Sequence, residues 1–316
     1  MSLVNSLPEY VEQKHDELLR SAVLGSESAK MFRLQTGVKT KSALNILNTA
    51  IQFQDGSACG FSAQGSSTIS QREIEAPIVK VNMEFCDKEL LNSALQHEVR
   101  VAAGQKTLPF ENEFVADIMA QIDLGVEKMI WQGDKVGKAS DNVLKWTDGI
   151  LTHLKAEDGI TKAENKLTHT GTYIPAFILD AVDKVVLAIP TPILNKAVIW
   201  MGYDYFRAFC VAMKNANLFH YNGDGVDNSK VYYPGSNIMV KAVAGLDGTG
   251  TIVAADPENL VFGCDMQHDA EKCDLWYSKD DQVFKLAVEF GIGTQVAFPN
   301  EVVISTKQED EEEVKA

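Results

Sequence analysis

No run of apolar residues in the 316-residue chain approaches the roughly 20 needed to cross a bilayer. The opening MSLVNSLPEY lacks a basic stretch followed by an apolar one, so neither a membrane span nor a secretory signal is expected. Cysteine is sparse: Cys59, Cys86, Cys210, Cys264 and Cys273 lie far apart with no CxxC pair. That spacing argues against a disulfide framework or a zinc ribbon and leaves reduced thiols as the expectation. Positive charge is in deficit, with 29 Lys and Arg against 44 Asp and Glu, a net charge of −15. A protein that grips nucleic acid needs clustered cations to neutralise phosphates, so direct nucleic-acid recognition is disfavoured.

Signatures of chemistry are missing as well. Cys264, His268 and Cys273 with Asp265, Asp269 and Asp274 match no zinc spacing, and a surface turn between strands accounts for them better. The stretch YNGDGVDNSK at 221 to 230 has the flavour of a calcium loop but lacks the full alternation of oxygen ligands and the closing Glu. GLDGTG at 245 to 250 precedes a strand instead of opening a helix, so turn chemistry explains it better than a phosphate cradle. There is no GxSxG elbow, and His15, His97, His153, His169, His220 and His268 share no motif. No catalytic, cofactor-binding or metal-binding residue is assigned, and no enzymatic activity is expected.

What is present is 45% hydrophobic and 23% charged, ordinary globular composition for one large or two modest domains. Ser6 as N-cap, Pro8 in the first turn and Glu9 three residues after the cap predict a helix with Val11, Leu18, Leu19 and Ala22 on one face, ended by Gly25 and Ser26. It reads as an amphipathic arm seeking a partner surface. Period-two alternation at Ile51 to Gln54 and at Val79 to Phe85 predicts two strands. Between them, Asp55 to Ser70 is rich in Gly and small polar residues and cannot form its own core, which suggests a long projecting hairpin. Phe53 and Phe61 fall in that hairpin, where an isolated aromatic is best explained by burial against a neighbouring subunit, although a hairpin folded back on its own domain also satisfies the pattern.

Thr107 and Pro109 start the strongest helix, with Phe110, Phe114, Ile118, Ile122, Val126, Met129 and Ile130 on one face and Glu111, Asp117, Gln121, Glu127 and Lys128 elsewhere, ending near Gly133. A helix from Pro175 carries Phe177, Ile178, Ala181, Val182, Val185 and Val186 and stops at Pro190 and Pro192; Lys196 to Trp200 reads as a buried strand and Tyr203 to Asn215 as a helix. Strands follow at Ile238 to Val243, Thr251 to Ala254, Asn259 to Phe262 and Phe284 to Phe290, with Gly291 and Gly293 turning the chain into Gln295 to Phe298. Trp131, Trp146, Trp200 and Trp276 are expected as core or interface anchors. The acidic run at 309 to 313 reads as a solvated tail.

Arm, hairpin, long helix, α/β insert and returning strands, in that order, resemble the major capsid proteins of tailed phages with the Hong Kong 97-like fold. AVIWMGYDYFRAFCVAMKNANLFHYNG at 197 to 223 is similar to the family's Trp-bearing strand with its following helix, and FKLAVEFGIGTQVAFPNEVV at 284 to 303 to its closing strands. The resemblance implies an α+β fold with an N-terminal arm at 1–40, an E-loop hairpin with flanking strands at 41–86, and a P domain with its spine helix at 87–145. It further implies an A domain at 146–255, returning strands at 256–305 and the acidic tail at 306–316. It implies a structural protein that self-assembles into hexamers and pentamers of an icosahedral head. That head encloses double-stranded DNA without sequence-specific binding, and the acidic charge suits a container whose contents must stay mobile. Scaffold and portal proteins, and decoration proteins as an option, are the partners so implied; the location is the virion capsid, assembled in the host cytoplasm. The segment before the hairpin is too short for a built-in scaffolding domain, and no Lys to Asn crosslink is expected. An encapsulin nanocompartment shares the fold and is the alternative, and an acidic cytosolic α/β enzyme is a third reading. Val11, Leu18, Phe53 and Phe61 are the candidate intersubunit contacts.

Overall fold

The computed structural model describes residues 3–55, 61, 64–90, 93, 97, 110–156, 158–169, 175–218, 229–265 and 272–308. The predicted start of the long helix at Thr107 and Pro109, His220, the residues 221 to 228 of the Gly- and Asp-rich loop, His268 and the acidic run at 309 to 313 lie outside them. Helix α1 (Leu3–Leu24) begins before Ser6, so Ser6 is inside the helix and not its cap, and Pro8 lies within it. An internal proline costs about 3 kcal/mol. Here Leu7 and Val11 on either side of it are buried at 0% and 1% exposure, and their burial offsets that cost. After Gly25, the short α2 (Glu27–Met31) is capped by the Ser26 hydroxyl, which accepts from the Ala29 N–H.

Strand β1 (Arg33–Thr36) is followed by a hairpin of β2 (Lys41–Ala50) and β3 (Ser66–Glu75), paired in register from Lys41 opposite Glu75 to Ala50 opposite Ser66. The sequence reading placed the first hairpin strand at Ile51 to Gln54 and the second at Val79 to Phe85. The structure puts 51–55 beyond the ladder and gives Val79 to Phe85 to β4 (Ile78–Cys86), which leaves the hairpin and joins another sheet. The true hairpin strands escaped notice because both their faces meet solvent towards the tip. Apart from Leu44 and Ile46 at the root, pairs such as Asn45 with Gln71 and Thr49 with Ser67 leave little apolar alternation to read.

Helix α3 (Phe110–Gln132) rises about 35 Å at 1.5 Å per residue. Its inner face buries Ile118, Ile122, Val126, Met129 and Ile130 as the periodicity predicts. Glu127, assigned by sequence to the polar side, is instead 4% exposed and bonded to Ser28. A short α4 (Ile150–Lys155), β5 (Lys166–His169), α5 (Pro175–Ala188), β6 (Val198–Met201) and α6 (Tyr203–Asn215) follow. On α5, Phe177 points outward at 45% exposure while Ile178, Val182 and Val185 are buried.

The remaining strands are β7 (Lys230–Tyr232), β8 (Met239–Ala242), β9 (Thr251–Ala255), β10 (Leu260–Cys264), β11 (Lys272–Ser278), β12 (Val283–Val296) and β13 (Val303–Lys307). They complete two sheets. One runs β5-β13-β9-β6-β8-β7, with α5 and α6 packed over a core that includes Val182, Ile199, Tyr205, Phe209, Val240 and Ile252. The other runs β1-β10-β12-β11, with β4 paired to β12, and shares a core with α1 and α3. Trp131, Trp200 and Phe32 meet in that core with ring centroids 5.6 to 5.9 Å apart.

Gly291 and Gly293 do not turn the chain: β12 runs through both as one 14-residue strand. It changes partners there, from β4 and β11 to β10. A Cβ on Gly293 would stand 2.0 Å from the Glu75 carbonyl oxygen, so glycine is needed for the close approach of the hairpin root. The loop at 245–250 is a tight turn, with Gly248 and Gly250 at φ of +72° and +60°. Its Asp247 carboxylate accepts from the Tyr203 N–H at the start of α6.

Candidate assembly surface

The hairpin is held hard at its root and bare at its tip. At the root, Lys135 Nζ lies 2.5 Å from Glu75 Oε2, and Arg72 Nη2 lies 2.6 Å from Asp158 Oδ2. Gln295 Nε2 donates to the Glu73 carbonyl at 2.6 Å, and the Ala76 N–H to the Thr40 carbonyl at 2.9 Å. Leu44, Ile46 and Ile74 fill a small apolar cluster with Val38, Ala76 and Val261. The hydrogen bond and charge of Lys135 hold the Glu75 carboxyl below its usual range, and burial pushes the neighbouring His153 imidazole down, towards its neutral form. The angle of the hairpin is therefore set by ion pairs and packing together.

Nine steps of about 3.4 Å between the ten paired residues put the far end of the ladder roughly 30 Å from that root. Towards and beyond that end, apolar side chains have no cover. Leu47 and Ile69 face each other across the ladder at 61% and 72% exposure. Ile51 is 74% exposed, and Phe53 and Phe61 are 98% and 97% exposed. Fully wetted aromatics in one projecting element are unfavourable unless something outside the chain covers them.

A second feature lies on the body of the molecule. Between β4 and α3 runs a groove of about 680 Å³ whose walls include Val81, Met83, Phe85, Phe110, Phe114 and Trp146. Phe85 meets Phe114 edge to face at 5.0 Å, and Phe110 stacks on Phe114 at 5.9 Å, so the aromatic wall is packed and preformed. Met83, Val143 and Trp146 are 38%, 41% and 45% exposed along its rim. Among the described residues no strand pairs with the outer edge of β4. The polar residues lining the groove include Lys80, Glu113 and Asp117. The groove presents a largely apolar, partly exposed surface, and among its described lining residues no acid, base and nucleophile are grouped. Among the described residues no cluster of three metal-ligating side chains forms; Cys264 and Cys273 are both buried.

Of the four candidate contacts, Phe53 and Phe61 are almost fully exposed. Val11 and Leu18 are buried. These are 1% and 8% exposed within the chain's own core, because α1 packs on β11 and α3 instead of reaching outward as an arm. His15 Nε2 accepts from the Cys273 N–H at 3.2 Å, so α1 also covers part of the edge of β11. Sequence reasoning singled out Trp146 as a core or interface anchor but missed Leu47, Ile69 and the groove residue Val143. A cross-strand apolar pair amid polar neighbours was the only available signal for the first two, and nothing local marks Val143.

Neither a protein-family model nor a curated protein sequence matches the chain. Solved structures do. The satellite phage P4 procapsid including the size determination (Sid) protein matches at a TM-score of 0.61 and 12% identity, over 93% of this chain and 90% of that one. Gordonia phage Cozz matches at a TM-score of 0.57 and 10% identity, over 90% and 87%. A virus-like particle from Pyrococcus furiosus matches at 0.52 and 12%, over 93% and 98%. The chain shares the fold of these particle structures. More narrowly, it is the fold of tailed-phage major capsid proteins, the Hong Kong 97-like α+β fold.

Proposed function

We propose that the chain is the major capsid subunit of a tailed phage, assembling into hexamers and pentamers that close an icosahedral head around double-stranded DNA. The observation that carries this reading is the pairing, within the capsid fold, of a hairpin with bare Phe53 and Phe61 and a preformed apolar groove along β4. The hairpin, 41–75, takes the part of the E-loop and crosses to the next subunit. Helix α3 serves as the spine of a P domain with β4, β11 and β12, and the six-stranded sheet with α5 and α6 serves as the A domain. One sequence must then occupy several slightly different environments, which a projecting hairpin absorbs while the two sheets stay rigid. The net charge of −15 supports a container that repels DNA and does not bind it. Scaffold, portal and decoration proteins are the partners this reading calls for, in the virion and during assembly in the host cytoplasm.

A compartment of the encapsulin kind, enclosing cargo instead of a genome, is the second reading; the likeness to a virus-like particle fits it as well as it fits a phage head. Expression of the chain alone, followed by negative-stain microscopy and mass photometry, tests both. Five- or six-fold rings or closed shells are expected. A monomer or dimer that persists at micromolar concentration, and still persists when a scaffold protein is supplied, refutes the shell reading. Portal and terminase genes beside its own select the phage head, and a gene for a cargo enzyme selects the compartment.

A further inference from the structure

Two carboxylates of α3, Asp123 and Glu127, lie one helical turn apart beneath the joint between α1 and α2. Glu127 is well provided for: it accepts from the Ser28 N–H at 3.1 Å and from the Ser28 hydroxyl at 2.5 Å. Trp131 Nε1 donates to that same hydroxyl oxygen at 2.7 Å. Asp123 is not. Its Oδ1 is buried without a hydrogen-bond partner, and it abuts Gly25, where an added Cβ would stand 3.0 Å from it.

An anion is disfavoured at this place for three separate reasons. The carboxylate is partly buried, Glu127 carries like charge one turn away, and Gly25 follows the C-terminus of α1, the negative end of that helix's dipole. The other charges acting on Asp123 come from α2: Glu27, which adds to the repulsion, and Lys30, which relieves it. Lys30 is itself bonded to the Gly25 carbonyl, and Glu27 is engaged by Lys241 of β8 at 3.2 Å. The site thus holds an excess of negative charge under a joint that closes only by covering it.

We propose that Asp123 is a proton-operated catch on the joint between α1 and α2: neutral, it lets the joint close on α3, and ionised, it makes the joint open more often. Burial first, and then the charge of Glu127, raise the Asp123 carboxyl from 3.8 to about 6. Its value is raised on folding, so the fold favours the neutral acid. The stabilisation is complete below the unfolded value near 4 and is lost as pH rises through about 6. Linkage between those two values makes the opening constant of the joint about tenfold larger at pH 8 than at pH 5.

The test is amide hydrogen exchange on the full chain between pH 5 and pH 8, corrected for the intrinsic pH dependence of exchange. It compares the parent with Asp123→Asn, which stays neutral at every pH. The reporters are the amides of Ala29, Lys30 and Phe32, which are bonded within the joint to Ser26 and Ser28, with the amides of β9 as the control. In the parent the joint amides should exchange about tenfold faster at pH 8 than at pH 5. In Asp123→Asn the rise should be clearly smaller, what remains coming from Glu127, whose carboxyl burial also pushes up, and β9 should not change in either protein. A flat parent profile, the same rise in Asp123→Asn, or an equal rise in β9 overturns the proposal. Glu127→Gln supplies an independent check: removing the neighbouring charge should move the transition to lower pH, and an unmoved transition counts against the catch.

Discussion

Gly291 and Gly293 stand two residues apart in β12, yet alanine should act at them with opposite sign. At Gly293 a Cβ would lie 2.0 Å from the Glu75 carbonyl oxygen, 2.8 Å from its carbon and 3.1 Å from the Ala76 Cα. All three are backbone atoms, and ordinary contact begins at 3.4 Å, so the hairpin root would have to move by more than an ångström. That root is pinned by the Lys135 to Glu75 ion pair, the Gln295 to Glu73 bond and the fully buried Ile74. Overpacking of this kind costs about 1 to 3 kcal/mol, and the fixed backbone places Gly293→Ala near the upper end, about 3 kcal/mol. At Gly291 the nearest atoms would be 3.8 and 3.9 Å away, and neither glycine has a positive φ. Gly291→Ala should therefore stabilise by about 0.5 kcal/mol, through the smaller entropy of the unfolded chain. At about 2 °C per kcal/mol for a chain of this size, the expected Tm changes are a fall of about 6 °C and a rise of about 1 °C. Thermal and urea denaturation of the unassembled protein would measure both. Equal shifts for the two variants, or a Gly293→Ala protein as stable as its parent, would refute the close-approach argument.

Phe53→Ser and Phe61→Ser together should leave the Tm of the unassembled chain within about 1 °C, because nearly all of each side chain is already in water, while abolishing particles in mass photometry; intact assembly would remove the hairpin from the interface. Leu18→Ala should lower the stability of the unassembled chain by about 2 to 3 kcal/mol in urea denaturation, since Leu18 is a core residue here. An unchanged midpoint would restore the view of α1 as a free arm. Lys135 holds the Glu75 carboxyl low, so the stability it lends is present above the unfolded value near 4.5 and lost as pH falls through its lower folded value. Exchange of the Ala76 amide, bonded to Thr40, should accelerate over that acid range in the parent more than in Glu75→Gln, and equal profiles would show that the ion pair does not hold the root.

The sequence by itself determined the elements whose burial is strongly periodic. Ile118 to Ile130 on α3, Ile178 to Val185 on α5 and Phe284 to Phe290 on β12 each repeat apolar residues at the spacing of their own backbone, and each is buried as that spacing requires. The order of those elements was enough to expect the capsid fold, and the bare aromatics Phe53 and Phe61 were enough to suggest an assembling surface. Elements whose partners are distant in sequence were decided only by the tertiary structure. A polar ladder such as Asn45 with Gln71 shows little apolar alternation, so the hairpin register emerged only with its pairing. An amphipathic helix has the same pattern whether its apolar face meets a neighbour or its own chain, and only the packing of α1 on β11 and α3 settles which. Glu127 looks like a surface residue until Ser28, 99 positions earlier, is brought against it. Gly293 reads as a turn until the Glu75 carbonyl occupies the space where its side chain would be. Local patterning encodes which face is apolar, and only chain folding decides what covers it.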